Sequence, residues 1–267
     1  CTDFIYNLIK VPIWKDYYME SIRELYKIGR GPSSSHTMGP YKAAMSFKSK
    51  YPDADSYKAI LFGSLAMTGA GHMTDKVICE ALEPKKCEVI FDKTTPTDVH
   101  PNTMRLKAYS GGSEIGSQTF YSIGGGSIVC EGEENSTSDD IYPMTTMSEV
   151  MNWCNRTGRS YWEYVFEHEG EDIKYFLINV WRHMCMAVEN GISNEGVLPG
   201  PLNLRRKAAS YYVRSRGYKD NLRTRGLLFA YALAVSEENA SGGTVVTATT
   251  CGSSGVLPSV LFHLYKG

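Results

Sequence analysis

The chain has 267 residues, of which 42% are hydrophobic and 21% charged, so its composition supports a globular core in one large domain or two ordinary ones. The 28 basic and 29 acidic residues nearly cancel, which argues against nucleic acid or another polyanion as a partner. No apolar run approaches the roughly 18 residues that a membrane-spanning helix needs. The seven widely spaced cysteines form no zinc or disulfide pattern, so we interpret them as reduced thiols of a cytoplasmic protein.

The first segment alternates between helix-like and strand-like pieces. Residues 1–18 carry no turn or capping signal that joins them to the following sequence, and they are interpreted as an extension, either native or upstream of a start at Met19. A hairpin signal, Ser110-Gly111-Gly112-Ser113, joins the last two predicted strands. Helices are predicted for Ser21–Tyr26, Met38–Lys50 and Asp75–Leu82, the last capped by Thr74 or Asp75, and strands for Tyr57–Leu65, Cys87–Phe91, Met104–Tyr109 and Glu114–Ile123.

Beyond a polar, acidic linker at Glu131–Tyr142 the pattern becomes helical. Thr146 with Glu149 predicts a capping box that starts a helix, and Ser160 with Glu163 predicts another. These boxes mark two short helices, and Gly158 marks the end of the first.

Two longer helices and a strand follow. Asp172–Asn190 has a single apolar face, and Gly191 is predicted at its C′ position. Gly226–Val235 is apolar all round, which predicts a central and fully buried helix. Thr244–Thr249 has the composition of a strand.

The fold class is therefore predicted as α+β. A domain with one mixed sheet and helices on one face spans residues 19–135, a linker spans 136–144, and a partial all-α domain spans 145–267. Because the chain stops just after a helix-like stretch, we expect the all-α domain to be incomplete.

Three polar stretches of the first domain each place a histidine beside glycine and small hydroxyl or amide residues. They are Gly31–Thr37 (GPSSSHT), Gly69–Asp75 (GAGHMTD) and His100–Thr103 (HPNT). The first two open helices, where free backbone N–H groups favour an anion. Any one of them is most simply a cap or turn with a solvated histidine, but three in one small domain indicate a functional site.

The second domain adds two further polar stretches. The sequence Glu237-Glu238-Asn239 ends the apolar helix, and carboxylates buried there require partners or a function, whereas exposed ones would form an ordinary turn. Cys251 lies among glycines and hydroxyl residues ahead of a helix. A thiol in such a setting can ligate a soft metal, and the alternative for a lone cysteine is a structural role.

Taken in order, these stretches resemble a known family. GPSSSHTMGP, FGSLAMTGAGHMTDK, HPNTMRL and FYSIGGGSIV are similar to the β domain of iron–sulfur L-serine dehydratases of the bacterial single-chain form. EGVLPGPLNLRRKA, EENASGG and TCGSSGVLPSVL are similar to the first half of the α domain. The resemblance covers roughly residues 19–267. It implies an L-serine ammonia-lyase that forms pyruvate and ammonium, with a 4Fe–4S cluster on three cysteines acting as Lewis acid.

Roles are carried over only where the motifs match. The resemblance implies that His36, His72 and His100 are catalytic, with His72 a candidate base, and that Cys251 is a cluster ligand; some relatives place this cysteine where the chain has Ser254. The two other cluster cysteines are expected beyond Gly267, so the chain by itself is expected to be inactive. The substrate-binding residues implied for L-serine are Ser33, Ser34, Ser35, Thr37, Thr74, Asp75, Asn102, Glu238 and Asn239.

Two other functions compete with this interpretation. A non-catalytic, serine-binding regulatory module would need the first domain but no cluster. A pyridoxal-phosphate dehydratase would need a Schiff-base lysine in a cofactor motif, and the matched stretches contain none. The sequence leaves open which histidine is the base and whether threonine is a second substrate, and the resemblance favours a homodimer.

Overall fold

The computed structural model describes residues 19–132, 141–247 and 250–266, which fall into two compact units. One unit contains residues 19–24 and 141–175, and the other contains the rest of these ranges. The predicted extension at 1–18 and most of the predicted linker lie outside the described residues, and the predicted domain limits stay a prediction. No helix within the described ranges is both long and apolar enough to cross a lipid bilayer.

The described residues form ten α-helices and seven strands. The helices are α1 (Ile22–Leu25), α2 (Gly39–Lys50), α3 (Gly63–Thr68), α4 (Thr74–Leu82), α5 (Met147–Thr157), α6 (Tyr161–Glu169), α7 (Ile173–Ser193), α8 (Ala208–Arg216), α9 (Asp220–Ala240) and α10 (Val256–Lys266). The strands are β1 (Ile28–Arg30), β2 (Ser56–Leu61), β3 (Lys86–Phe91), β4 (Thr103–Ser110), β5 (Ser113–Gly124), β6 (Ser127–Cys130) and β7 (Thr244–Val246).

The smaller unit is built around α5 and α6. Both helices begin with the predicted capping boxes, and Gly158 ends α5 in the left-handed conformation as predicted. Tyr142, Trp153 and Tyr164 form its aromatic core. Buried aromatic rings supply much of the apolar area that so small a unit can remove from water.

The larger unit contains the mixed sheet that the sequence predicts. Its strand order is β3-β2-β4-β5-β6, in which only β2 and β3 run parallel. Gly111 and Gly112 both have positive φ, so the predicted hairpin turn joins β4 to β5. Alternate residues of β2 are buried, and they share one core with apolar side chains of α2 and α4, which places the helices on one face.

One predicted strand is too long. Tyr57–Leu65 was expected to be β-structure, but β2 ends at Leu61 and α3 begins at Gly63. Gly63 has φ +51°, and a Cβ there would lie 2.4 Å from the carbonyl oxygen of Pro101. The chain turns sharply at a position that only glycine fills without strain, so the propensity of the following residues for a strand is overridden.

Two expectations for the long helices are wrong. Gly191 does not follow α7 but lies within it, where a Cβ would be 2.2 Å from the carbonyl oxygen of Ala234 on α9. The glycine is there because the two helix backbones approach closely. The segment Gly226–Val235 belongs to the longer α9, and it is not fully buried: Ala230 and Val235 are inaccessible, but Phe229 is 56% exposed.

We expect Gly191→Ala to lower the free energy of unfolding by about 1–3 kcal/mol, because the methyl group must push α7 away from α9. Urea denaturation of the purified chain measures the change. Gly71→Ala is the control, since a Cβ at Gly71 has no neighbour within 4 Å. Equal stability of the two variants would contradict the close approach as the reason for the glycine.

Candidate functional site

The GPSSSHT stretch folds into a π-helical turn, Ser34–Met38, that runs directly into α2. Ser33 is its N-cap, and its Oγ accepts a hydrogen bond from the backbone N–H of His36 over 3.1 Å. Ser34 is buried, whereas Ser33 and Ser35 are only half-buried. Single π-turns of this kind are frequent at functional sites, and this one places two serine hydroxyls beside a histidine.

His36 is held through both ring nitrogens. Its Nδ1 lies 2.9 Å from Ser35 Oγ, and its Nε2 lies 3.0 Å from Ser64 Oγ on the first turn of α3. Burial lowers the pKa of His36, the neighbouring His72 lowers it further, and the backbone of Ser64 partly opposes them. His36 is therefore a neutral imidazole at neutral pH.

His72 lies against His36, with ring centroids 4.7 Å apart. Its Nδ1 is 3.0 Å from the backbone oxygen of Thr68. A carbonyl oxygen only accepts hydrogen bonds, so Nδ1 carries the proton of the neutral ring and Nε2 carries the lone pair. A backbone carbonyl thus fixes the tautomer that leaves Nε2 able to accept a proton.

Two threonines tie the first two polar stretches together. Thr37 Oγ1 donates to the backbone oxygen of His72 over 2.9 Å, and Thr74 Oγ1 donates to that of His36 over 2.6 Å. The expected cap at Thr74 or Asp75 is wrong: Met73 is the N-cap of α4, in the left-handed conformation and without a side-chain bond. Thr74 does not cap because its hydroxyl is used in this cross-link instead.

The other predicted residue of this stretch, Asp75, lies half-buried in the first turn of α4. A carboxylate there is stabilised by the helix dipole. This position is sufficient to explain an acidic residue, and its predicted role in substrate binding stays a prediction.

The HPNT loop is joined to the same cluster. The backbone N–H of Asn102 donates to His100 Nδ1 over 3.0 Å, so the neutral His100 ring carries its proton on Nε2, the opposite tautomer from His72. Asn102 Nδ2 donates to the backbone oxygen of Ser122, and Ser122 Oγ donates to that of Ser35. These bonds connect the loop to the π-helical turn.

Sequence reasoning missed Ser64 and Ser122. Ser64 lies in a stretch that was interpreted as a strand, although the Phe62-Gly63-Ser64 sequence is a turn signal followed by a helix-starting residue. Ser122 is one of many residues in a predicted strand. Its Oγ can approach the π-helical turn because residue 39 is glycine, where a Cβ would lie 2.2 Å from the Ser122 Oγ. No local signal identifies Ser122.

Glu238 and Asn239 of the EENASGG stretch bind different parts of the chain. Glu238 is buried and forms an ion pair with Arg206 at 2.6 Å, and it also accepts from Asn194 Nδ2 over 2.9 Å. Asn239 reaches the first motif, where its Nδ2 donates to the backbone oxygen of Pro32 over 3.2 Å. The structure therefore brings Asn239 to the π-helical turn and gives Glu238 a cation and an amide as partners.

Cys251 is the remaining predicted residue. It is 2% exposed, its Sγ lies 3.6 Å from Met38 Sδ, and burial raises its pKa to about 11. Burial therefore favours the protonated thiol when no metal is bound, and a metal would have to displace this proton, because a metal ligand is a thiolate. Ser254, where some relatives carry cysteine, is also buried, and its Oγ has no hydrogen-bond partner within the described ranges.

The donor set for a cluster is not assembled by these residues. In the part of the chain that the structure describes, no three His, Cys, Asp or Glu side chains lie close enough to hold a metal ion. The described residues thus offer a single thiol near the site and do not fit a complete 4Fe–4S cluster.

Comparison with known proteins gives two family matches. Residues 21–90 match the family described as serine dehydratase beta chain, and residues 56–266 match serine dehydratase alpha chain. The chain is 34% identical to L-serine dehydratase 2 of Escherichia coli (strain K12), over 93% of this chain and 66% of the relative. It is also 34% identical to an L-serine dehydratase of Streptomyces coelicolor, over 92% and 66%, and 32% identical to one of Helicobacter pylori, over 91% and 65%. The chain spans about two thirds of the length of these curated relatives.

Proposed function

Since this chain belongs to the serine dehydratase family, we propose that its protein converts L-serine to pyruvate and ammonium. The observation that carries the proposal is the fixed tautomer of His72, whose Nδ1–H is held by the Thr68 carbonyl while Nε2 remains a proton acceptor beside the neutral His36. Elimination of water from serine needs such a base at the α-carbon.

His72 Nε2 takes the α-proton of serine in this proposal. The carbon–carbon double bond forms as the β-carbon–oxygen bond breaks, and the departing hydroxide leaves as water once it gains a proton. The aminoacrylate product then takes up water and yields pyruvate and ammonium, so atoms balance over the two steps.

The same geometry supplies hydrogen-bond donors. His100 carries its proton on Nε2, and Ser33 and Ser35 present half-buried hydroxyls. These groups can bind the carboxylate of serine and protonate its leaving hydroxide. We assign the substrate-binding roles to these residues and to Asn102 and Asn239, whose Nδ2 groups already bind backbone carbonyls.

Hydroxide is a poor leaving group, and the resemblance implies a 4Fe–4S cluster as the Lewis acid that polarises it. Cys251 is the thiol that the described residues contribute, and under this proposal the other ligands lie beyond Gly267. The described residues do not complete the set of cluster ligands. The substrate-binding and acid–base roles given above are therefore assigned to side chains of this chain and not to the cluster. We also propose a homodimer located in the cytoplasm.

The test is an assay of the complete protein after anaerobic treatment with iron and sulfide. We expect equal amounts of pyruvate and ammonium from L-serine, and L-threonine in the same assay tests for a second substrate. Cys251→Ser is expected to lose the visible absorbance of the cluster. Binding of serine without turnover would replace the proposal with the regulatory module, and pyridoxal-dependent activity in air would overturn it.

A further inference from the structure

Ser64 completes a pair of hydroxyls that enclose the His36 ring. Ser35 Oγ lies at Nδ1 and Ser64 Oγ at Nε2, at 2.9 and 3.0 Å. Ser35 is the sequence neighbour of His36, whereas Ser64 comes from a different element, α3. The contact with Ser64 therefore joins the π-helical turn to α3 through side chains.

Counting protons limits these two bonds to two possible arrangements. A neutral imidazole has one donor and one acceptor nitrogen, so one serine donates to the ring and the other accepts from it. His36 Nε2 is the one side-chain partner of Ser64 Oγ among the described residues, whereas Ser35 Oγ also lies 3.5 Å from Ser33 Oγ. The assignment that satisfies the Ser64 hydroxyl proton has it donate to Nε2, while Nδ1–H donates to Ser35.

The backbone holds Ser64 in place independently of its hydroxyl. Its N–H donates to the oxygen of Pro101 over 2.7 Å, and Gly63 provides the positive φ that directs the chain into α3. The hydroxyl is thus placed by the loop that also carries His100. Removing it leaves the backbone contacts intact, which makes the side chain a clean subject for substitution.

We propose that Ser64 is a positioning residue whose hydroxyl donates to His36 Nε2 and thereby fixes the Nδ1–H tautomer of the His36 ring beside His72. The catalytic consequence rests on the proposed function, but the tautomer does not. A cation on His36 would disfavour a second positive charge on His72, 4.7 Å away between ring centroids. Burial is the main reason that the pKa of His36 is lowered. The Ser64 hydroxyl adds to this by occupying the Nε2 lone pair that a second proton would need, so His72 stays able to accept a proton.

The tautomer is measured directly by nitrogen NMR of the full chain labelled with ¹⁵N-histidine, with His36→Gln identifying the His36 signals. In the unchanged protein we expect Nδ1 to carry the proton. In Ser64→Ala no hydroxyl donates to Nε2, so we expect the ring proton to move from Nδ1 to Nε2. We also expect the pKa of His36 to rise, because a hydrogen bond that stabilises the neutral ring is lost. An unchanged tautomer in Ser64→Ala would overturn the proposal.

Two controls separate the hydroxyl from general effects of substitution. Ser64→Thr retains a hydroxyl and is expected to keep the Nδ1–H tautomer. Ser49→Ala removes a hydroxyl that bonds the Met45 carbonyl on the exposed face of α2, and it is expected to leave His36 unchanged. A shift of equal size in Ser49→Ala would show that the His36 signals do not report on Ser64.

Kinetics of the active holoenzyme supply the second readout. We expect Ser64→Ala to move the acidic limb of kcat/KM to higher pH, because His36 then becomes protonated at higher pH and its charge disfavours proton uptake by His72. Ser64→Thr is expected to restore the limb. A uniform loss of rate at every pH would indicate a merely structural role and contradict the proposal. If the protein lacks lyase activity, the proposed function fails, and the NMR result still decides the role of Ser64.

Discussion

Replacing Arg206 with methionine is expected to lower the free energy of unfolding by about 3–5 kcal/mol, the cost of leaving a buried charge without its partner. The side chains of Arg206 and Glu238 are each 9% exposed and lie 2.6 Å apart. Without the guanidinium, the Glu238 carboxylate keeps the Asn194 amide but loses its charged partner. Urea denaturation, followed by circular dichroism, measures the change through the shift of the midpoint.

An exposed ion pair provides the control. Arg159 and Glu167 are 52% and 44% exposed, so Arg159→Met is expected to cost less than about 1 kcal/mol. The double variant Arg206→Met with Glu238→Met removes both charges, and we expect it to be more stable than Arg206→Met alone. If Arg206→Met is no less stable than Arg159→Met, burial is not the reason that the pair of Arg206 and Glu238 stabilises the fold.

The pair also explains why Glu238 could not be assigned from sequence. The Glu237-Glu238-Asn239 run indicates that buried carboxylates need partners, and the sequence allows a substrate as readily as an arginine. Arg206 lies in a loop before α8, and only the folded chain brings it to the end of α9. Asn239, one residue later, faces Pro32 because the helix turns its side chain elsewhere.

Three local signals are confirmed by the structure, because they depend on neighbouring residues alone. The capping boxes at Thr146 and Ser160 and the hairpin at Gly111 each involve residues within a few positions of one another. The structure places each of them where the sequence predicts. The mixed sheet follows from the same kind of evidence, since strand alternation marks β4 and β5.

Contacts between distant segments were not predictable in this way. Gly191 has the sequence position of a helix cap, yet its role is set by the backbone of Ala234. The pairing of β1 with β7 joins two segments from opposite ends of the described chain, with Ile28 opposite Val246. This pairing delivers the loop after α9 to the first motif, where the N–H of Gly31 donates to the oxygen of Gly243.

In the candidate site, the sequence predicts which histidines matter but not their protonation states. The three histidines stand out because each lies among glycines and hydroxyl residues, but their protonation states depend on partners that the sequence does not reveal. His72 and His100 both use Nδ1, the first as donor to a carbonyl and the second as acceptor from an N–H. In the neutral rings this leaves an acceptor at His72 Nε2 and a donor at His100 Nε2.

The largest effect on activity is expected from His72→Gln, which removes the proposed base. General base catalysis is typically worth about 10²–10⁴-fold, so kcat should fall by that factor while the chain stays folded. The matched control is His183→Gln: His183 Nδ1 also binds the carbonyl oxygen four residues earlier, that of Asn179 at 2.9 Å, but on α7 and away from the cluster. We expect His183→Gln to retain full activity.

The comparison isolates the chemistry because both substitutions break the same local hydrogen bond. A loss of helix geometry would therefore affect both variants, whereas loss of a base affects only one. Activity of His72→Gln within a few fold of the unchanged enzyme would assign proton abstraction to another group, and His36, whose nitrogens are both committed to serine hydroxyls, would then have to release one of them to act.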